Sequence, residues 1–386
     1  MSNMPAGSSR IAAIRLRAMI GTGLVMFVFI TMHLGNLALG LVSLQTMEDW
    51  RWALSGIWTS FPPLKILLQV SLVLHFLLAL FSLYWRNTLR VPAYDMAQII
   101  AGILIIPLLG MHVFGVMAVK QLGLEPTYAL VLSQFWVVSP LDGLQQVVLL
   151  VVAWIHGGIG IYTWLQARDG SPRVMRFFYP LIVAMPILAM LGYVEAGRQI
   201  IPVEEGGAGL VLENDPNAYG PSVSQEEIPE IIAQAKQRPR IATQVSLGLV
   251  LLVFLARWLR IKQAQKAEVR ISFTGKRPAS FSASTGMTLL ELAREHNVPH
   301  ASVCRGRGRC GTCRVRVLSG HENLPPPSED ESKVLERWRA APDERLACQL
   351  VPMGGEMVFE RVINPDYSNL DYSSTVASSS PAAEQA

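Results

Sequence analysis

Long apolar stretches separated by short polar segments occupy the chain up to about residue 260. A helix needs about 20 apolar residues to cross the hydrocarbon core of a bilayer. Six stretches are long enough, at about 18–43, 63–85, 96–119, 143–167, 174–196 and 241–259. They lack the polar stripe of a long helix in a water-soluble core, and the first is too long for a cleaved signal peptide. The pattern predicts a transmembrane helix bundle with six spans over residues 18–260, after a short N-terminal segment 1–17.

Beyond residue 267 the pattern changes to short alternating strands and amphipathic helices. Strands are predicted for "EVRISF" at 268–273, for 279–283, for "CRVRV" and for "GEMVFERV". One helix is expected from Thr288, where Thr288 and Glu291 fit a capping box, and another over "SEDESKVLERW". The predicted fold class is therefore a mainly α transmembrane helix bundle plus an α+β domain of the β-grasp type at 267–365. The Ser/Ala-rich stretch 366–386 is expected to be disordered.

Basic residues flank one set of helix ends, which predicts the orientation of the chain. They are Arg10, Arg15, Arg17, Arg86, Arg90, Arg168, Arg173, Arg176, Arg257, Arg260, Lys262 and Lys266. By the positive-inside rule these ends and both termini face the cytoplasm of a bacterial inner membrane. The opposite connections are acidic, above all 197–240, where "SQEEIPEIIAQAKQ" is expected to form a short amphipathic helix over the outer end of the bundle. The formal net charge of +4 does not favour nucleic acid as a partner.

Four of the seven histidines lie inside predicted spans, one in each of the first four: His33, His75, His112 and His156. A strongly polar group in lipid is costly unless it is paired or functional. At about 1.5 Å per residue, His33 and His112 lie about 24–25 Å from charged residues at the inner ends, and His75 and His156 about 16–18 Å. Facing imidazoles can hold a haem iron from both sides. The two levels predict two b-type haems, while hydrogen bonding between helices or a proton path is the alternative interpretation.

Small residues beside these histidines would make room for a flat porphyrin. Candidates are Gly35 near His33, Gly110 and Gly115 near His112, and Gly157, Gly158 and Gly160 near His156. His75 has no such neighbour, and its nearest small residues are Ser71 and Ala79, one turn away. Glycine is in any case common where membrane helices touch.

Residues 15–200 resemble the dihaem cytochrome b membrane anchors of succinate:quinone oxidoreductases. In that family the first and third helices share one haem, and the second and fourth share the other. The resemblance implies the pairs His33 with His112 and His75 with His156, which helix depth predicts as well. We expect quinone as the partner in the membrane; Gln69, Gln98 and Glu195 are candidate contacts, with packing or an interfacial position as the alternative interpretation. The sixth span and the fused C-terminal domain depart from that family.

All four cysteines lie in the C-terminal domain, spaced Cys304-x5-Cys310-x2-Cys313-x34-Cys348, as expected for a chain exposed to a reducing cytoplasm. Three thiolates on one loop with a distant fourth are the arrangement that a 2Fe–2S cluster needs. Structural zinc sites usually show two separated Cys-x2-Cys pairs, and this chain has one. Residues 267–365, including "RLACQ" at 345–349, resemble the 2Fe–2S ferredoxin domain. Its five-residue first gap is shared by vertebrate-type ferredoxins and by some bacterial reductase domains.

Charged and polar residues around the cysteines have two interpretations. Gly306, Gly308 and Gly311 let the loop curl so that its amides point at the sulfurs. The interleaved arginines, Arg305, Arg307 and Arg309, form either a solvated rim or a docking face for an acidic protein or lipid phosphates. The three remaining histidines, His296, His300 and His321, are expected at the surface.

These parts together predict a membrane-bound electron-transfer protein. Electrons would pass between a cytoplasmic redox partner and the quinone pool through the cluster and the two haems. We find no flavin, NAD or cyclase catalytic site in the sequence, which leaves open whether the chain is an enzyme; at most it is an oxidoreductase or a subunit of a larger one. The alternative function is a redox-sensing input module acting on a separate partner such as an adenylate cyclase. It is prompted by a similar anchor and ferredoxin combination at the N-terminal side of some bacterial membrane cyclases.

Overall fold

The computed structural model describes residues 8–165, 171–203, 227–264 and 267–363. Among these, six helices are long and apolar enough to cross a membrane. They are α1 Ser8–Ala38, α2 Pro62–Trp85, α3 Ala93–Gln121, α4 Pro140–Leu165, α5 Ser171–Val203 and α6 Ile228–Gln263. The predicted number of spans is confirmed. The predicted tail 366–386, residues 1–7 and most of the acidic segment 197–240 lie outside the described residues.

The first four helices pack into a bundle, and the last two cover it. Helix α3 packs against α4 and α6, while α1 packs against α2 and α5. Large apolar side chains such as Leu141, Val183 and Leu251 remain exposed on the outside of the bundle. Helices that are apolar on their outward faces are typical of a bundle surrounded by lipid.

Short helical segments, which the hydrophobic pattern did not reveal, close the end of the bundle away from the C-terminal domain. They span Leu44–Asp49, Trp52–Gly56 and Ile57–Ser60 between α1 and α2, and Tyr128–Ser133 and Gln134–Val138 between α3 and α4. Met47 from the first connection packs with Tyr128 and Leu132 from the second in one buried cluster. The two connections therefore support each other across the end of the bundle.

Helix α6 differs from the prediction. Residues 228–237 of the amphipathic helix expected at 224–237 are helical, but they are not a short helix, because they form one continuous helix with the last span. Pro239 lies inside this helix and is buried. Proline removes one helical hydrogen bond, but Pro239 packs closely against α3, where a Cβ added at Gly110 would lie 3.4 Å from its Cα. This packing supports the helix at the position where the proline removes a hydrogen bond.

The C-terminal domain is a five-stranded sheet with two helices, of which four strands and both helices were predicted. Its strands are β1 Glu268–Thr274, β2 Ala279–Ser284, β3 Arg314–Ser319, β4 Glu344–Leu346 and β5 Gly355–Arg361, in the order β2-β1-β5-β3-β4. Strands β1 and β5 are parallel, and the other neighbours are antiparallel. The helices are α7 Leu289–Glu295 and α8 Glu329–Arg337. Only the three-residue β4 was not predicted from the pattern.

Apolar residues that alternate with polar ones along the strands form the core of this domain. Val269, Ile271 and Phe273 of β1 are buried against Met357 and Phe359 of β5, together with the apolar face of α7. Complete burial of such side chains contributes about 1.5–3 kcal/mol each. The predicted capping box is present in both directions, since the Thr288 hydroxyl accepts from the Glu291 amide and the Glu291 carboxylate accepts from the Thr288 amide. The cap fixes the start of α7 immediately before the cysteine loop.

Candidate functional site

The sheet register brings the four cysteines together. Cys304, Cys310 and Cys313 lie on the loop between α7 and β3, and Cys348 follows β4. Arg314 of β3 pairs with Leu346 of β4, and the Ala347 amide donates to the Cys313 carbonyl at 3.0 Å. This pairing places the distant fourth cysteine beside the third.

The thiols lie two by two, Cys304 beside Cys310 and Cys313 beside Cys348, and the Cys304 amide donates to Cys310 Sγ at 3.3 Å. Across residues 8–165, 171–203, 227–264 and 267–363, no three His, Cys, Asp or Glu side chains converge as ligands of one ion. Two thiolates on each of two irons match this arrangement, whereas a structural zinc ion takes four ligands at one point.

Hydrogen bonds favour a thiolate at Cys304. Bonding to the Cys310 thiol, and further bonds from the backbone amides of Arg309, Cys310 and Arg307, lower the pKa of the Cys304 thiol to about 5 although burial opposes this. The same thiol pairing, together with burial, raises the pKa of Cys310. Backbone amides that donate to a sulfur stabilise its thiolate form, and a metal centre held by cysteines needs thiolates.

Glycines shape the cysteine loop. Gly306, Gly308 and Gly311 have φ of +92°, +63° and +68°, a region that side-chain-bearing residues rarely adopt. At Gly311 a Cβ would also lie 2.4 Å from Nε1 of Trp338. The loop therefore curls as predicted only because these positions lack a side chain.

The inner histidine pair lies between α2 and α4. The ring centroids of His75 and His156 are 6.2 Å apart, with planes at 81°. His75 Nδ1 lies 3.1 Å from the hydroxyl of Thr22 on α1, and His156 Nδ1 lies 2.9 Å from the carbonyl oxygen of Gln98 on α3. Metal-binding histidines usually donate their other ring nitrogen in this way, which orients the ring.

The outer pair lies between α1 and α3. The ring centroids of His33 and His112 are 5.9 Å apart, with planes at 65°. Phe29 stacks on His33 at 5.7 Å, and His33 Nδ1 is buried without a hydrogen-bond partner among the described residues. Buried polar atoms are usually paired, so an unpaired imidazole nitrogen at this depth is notable.

The spacing of both pairs fits one metal ion between two rings. Metal–imidazole bonds of about 2 Å on opposite sides of one ion would separate the ring centroids by about 6 Å. The structure brings together the two pairs that helix depth predicted. Haem ligation by these residues stays a prediction.

Two glycines that the sequence analysis missed contact the inner pair. A Cβ at Gly102 would lie 2.9 Å from Cε1 of His156, and a Cβ at Gly23 would lie 3.3 Å from Cε1 of His75. Each precedes the outer histidine of its own helix by ten residues, about 15 Å along the axis. Each helix that carries an outer histidine thus also carries a glycine at the level of the inner pair. The ten-residue spacing between this glycine and the outer histidine is visible in the sequence.

The glycines chosen from the sequence have other neighbours or none. A Cβ at Gly157 would meet Phe27, one at Gly158 would meet Ile182, and one at Gly160 would meet the Gln98 side chain. Gly35 and Gly115 face open space. Proximity in sequence to a histidine therefore did not identify the glycines that contact the rings.

One cavity of 1640 Å³ connects the candidate centres. It is lined by all four histidines, by Gly23 and Gly102, and at its other end by residues 305–309 and Cys348. Pockets for one small molecule usually measure about 300–1,000 Å³, so the space exceeds the need of a single ligand. Of the candidate quinone contacts, Gln69 and Gln98 line this cavity, while Glu195 forms an ion pair with Arg198 at 3.6 Å.

Two surface predictions for the C-terminal domain are wrong. Arg305 does not belong to a solvated rim, because its side chain is only 5% exposed and pairs with Asp95 of the helix bundle of its own chain. Arg307 is exposed as predicted, although it donates to the Thr163 carbonyl of the bundle. His300 packs against Phe273 with ring centroids 5.8 Å apart, and its Nε2 lies 3.4 Å from the Cys313 carbonyl oxygen. Burial lowers the pKa of His300 to about 4. Neither contact could be expected from local sequence.

Comparisons with known proteins concern the C-terminal part of the chain. Residues 273–353 match the family described as 2Fe-2S iron-sulfur cluster binding domain. The 2Fe-2S ferredoxin-5 of Aquifex aeolicus is 35% identical over 72 residues, which are 18% of this chain and 75% of that protein. The 2Fe-2S ferredoxin of Haemophilus influenzae is 37% identical over 79 residues, 20% of this chain and 70% of that one.

Two further likenesses are more distant. One component of the Na(+)-translocating NADH-quinone reductase of Yersinia enterocolitica is 29% identical over 108 residues, 28% of this chain and 25% of that protein. The crystal structure of the ISC-like 2Fe–2S ferredoxin of Pseudomonas putida is 27% identical, with a TM-score of 0.23, and covers 26% of this chain and 94% of that one.

Proposed function

We propose that this chain, which belongs through its C-terminal domain to the 2Fe–2S ferredoxin family, transfers electrons between a soluble redox partner and quinone in the membrane. Cys304, Cys310, Cys313 and Cys348 would hold the cluster. The pairs His75 with His156 and His33 with His112 would each hold a b-type haem. Bound there, the cluster and the haems would supply reversible one-electron changes.

The observation that carries the proposal is the single cavity shared by both histidine pairs and the cysteine loop. Three redox centres held along one cavity would lie in series, whereas three unrelated structural sites would not need a common space. Thr22 and the Gln98 carbonyl orient the two inner rings. Fixed ring orientations keep the metal environment unchanged between the two oxidation states.

The charge distribution supports a cytoplasmic position for the C-terminal domain. The C-terminal domain follows the end of α6 that carries Arg257, Arg260 and Lys262, and such ends face the cytoplasm by the positive-inside rule. The soluble partner would then be a cytoplasmic donor or acceptor. The likeness to a component of an NADH-quinone reductase adds support for quinone at the other end of the path.

The test is haem and iron quantitation on the purified full chain, followed by reduction with a low-potential donor while optical spectra are recorded. We expect two b-type haems and one 2Fe–2S cluster per chain, with the cluster bands bleaching as the reduced haem bands rise. Colourless material in the Soret region would overturn the haem assignment. Haems that stay oxidised beside a reduced cluster would overturn electron transfer between them.

A second candidate function is redox sensing, and the direct contact of the cysteine loop with the helix bundle favours it. A change of charge at the cluster would act on this contact and so reach the membrane helices. Steady reduction of a soluble quinone analogue by the reduced protein would support transport. Binding of a partner such as a cyclase that follows the redox state, without steady quinone reduction, would support sensing.

A further inference from the structure

The ferredoxin domain rests on the connection between α2 and α3. Asn87 donates to the Gly286 carbonyl at 3.0 Å, the Thr88 hydroxyl donates to the Glu295 carboxylate, and Arg90 pairs with the same carboxylate at 3.2 Å. Asn87 is itself held by Arg257 of α6, which donates to its carbonyl at 2.9 Å. The connection is thus a docking platform for the domain, here defined as residues 86–92.

A second contact lies beside the platform and involves the cysteine loop itself. The Arg305 guanidinium forms an ion pair with Asp95 in the first turn of α3 at 2.8 Å, with side chains only 5% and 15% exposed. Its Cζ lies 3.3 Å from the ring centroid of Tyr94. A planar guanidinium can stack on an aromatic ring and pair with a carboxylate at once, which an ammonium group cannot do as well.

The backbone of Arg305 is held in an unusual conformation. Its φ is +61°, in the left-handed region that is strained for a residue with a side chain. Such conformations occur where many surrounding contacts hold the residue in place, and they are common at functional positions. Here the strain directs the side chain out of the loop and into the bundle, one residue after the cluster ligand Cys304.

Both helices that hold His156 in place meet this loop. Asp95 precedes Gln98 by one turn of α3, and the Gln98 carbonyl oxygen is the one beside His156 Nδ1. On α4, the Thr163 carbonyl accepts from Arg307 at 3.1 Å, seven residues or about 10 Å along the axis from His156. The cysteine loop is therefore fixed to the two helices that position one inner ring.

We propose that Arg305 and Asp95 are positioning residues that hold the cluster loop at a fixed separation from the inner histidine pair and tune the reduction potential of the cluster. The proposal rests on the proposed electron-transfer function. A buried ion pair contributes little net stability compared with apolar packing, but removing one partner leaves an uncompensated charge. The pair is therefore suited to fixing one docked arrangement, and its charges lie close to the metal centre.

The test uses Asp95→Asn in the full-length protein with cofactors bound, in lipid nanodiscs. This change removes the charge and keeps the shape. Arg305 is then left uncompensated beside Cys304, and positive charge stabilises the reduced cluster, so we expect its reduction potential to rise. We also expect haem reduction after rapid mixing with a low-potential donor to slow about tenfold or more, since breaking a buried ion pair shifts the docking equilibrium by at least that factor.

The matched control is Glu356→Gln, which removes a carboxylate of the same domain from an exposed pair with Arg270. We expect this variant to keep the wild-type potential and rate. A third variant, Arg305→Lys, retains the charge but not the stack on Tyr94. It should keep the cluster potential close to wild type and still slow haem reduction.

An Asp95→Asn protein with wild-type potential and rate would overturn the proposal, as would equal effects of Asp95→Asn and Glu356→Gln. Failure of the proposed function would look different. The haems of the wild-type protein would then stay oxidised when the cluster is reduced, while the reduction potential of the cluster would still change in Asp95→Asn. If the Asp95→Asn protein loses its cluster, the Arg305→Lys variant becomes the test. An unchanged rate of haem reduction in Arg305→Lys would then overturn the proposed positioning role.

Discussion

His75 and His156 face each other across the bundle with ring centroids 6.2 Å apart, and each ring is oriented by a hydrogen-bonding group on a third or fourth helix. All four helices of the inner bundle therefore contribute to this one pair: α2 and α4 carry the rings, and α1 and α3 carry the groups beside Nδ1. An arrangement that uses four helices to orient two imidazoles is typical of a ligand site, because ordinary interhelical hydrogen bonding needs only two partners.

His75→Ala is expected to remove one haem and leave the other. The inner pair would lose one of its two proposed ligands, while His33 and His112 form a separate pair. Haem per chain measured as the pyridine haemochrome should fall by about half, because in the proposed function each pair would hold one iron. His321→Ala, which changes an exposed histidine, should retain both haems. Two haems retained in the His75 variant would contradict the assignment of this pair.

Gly102→Ala is expected to disturb the inner haem. The new Cβ would lie 2.9 Å from Cε1 of His156, a distance that forces the ring to move. A displaced ligand weakens the axial bond, so one of the two reduced haem bands should shift or its intensity fall. Gly115→Ala on the same helix is the matched control, since a Cβ there meets nothing within 4 Å. Equal spectra from both variants would show that the ring has room to move.

Depth along the helices could be predicted because it depends only on a constant rise per residue. That was enough to sort His33, His75, His112 and His156 into the two pairs that the structure brings together. Rotation about the helix axis and packing against other elements are not local properties. For this reason the sequence analysis misplaced the important glycines, overlooking Gly23 and Gly102.

The strands and helices of the ferredoxin domain were predicted almost completely, because alternation and the Thr288 capping box are local signals. The position of this domain on the bundle was not. The Arg305–Asp95 ion pair joins residues more than 200 positions apart, and nothing near Arg305 in the sequence indicates a partner inside the same chain. The cysteine spacing predicted the ligands of the cluster, but not the contacts of the arginines between them.

Glu331→Gln is expected to destabilise the ferredoxin domain. Glu331 is 1% exposed and accepts two hydrogen bonds from Arg345, at 2.9 and 3.0 Å, and one from the Leu346 amide at 2.8 Å. Removing the charge of one partner of a buried ion pair costs about 3–5 kcal/mol. The visible absorption of the cluster should therefore be lost at lower urea concentration than in the wild type.

Glu329→Gln provides the comparison for this experiment. Glu329 pairs with Lys333 at 2.6 Å, and both side chains are exposed, so its removal should cost about 0–1 kcal/mol. Two variants with the same urea midpoint would mean that the buried pair adds no more than the exposed one.

Gly311→Ala is expected to abolish the cluster and spare the haems. Gly311 has φ of +68°, and its Cβ would lie 2.4 Å from Nε1 of Trp338, so the loop between Cys310 and Cys313 could not close. Gly286→Ala separates the two causes, since Gly286 also has a positive φ of +101° but no neighbour within 4 Å of a Cβ. That variant would carry only backbone strain of about 1–2 kcal/mol and should keep its iron.

Since the histidine pairs belong to α1–α4, the oxidised haem spectrum should be unchanged in both variants. A Gly311→Ala protein that retains full iron content would contradict the loop geometry, and one that also loses haem would contradict the independence of the two parts of the chain.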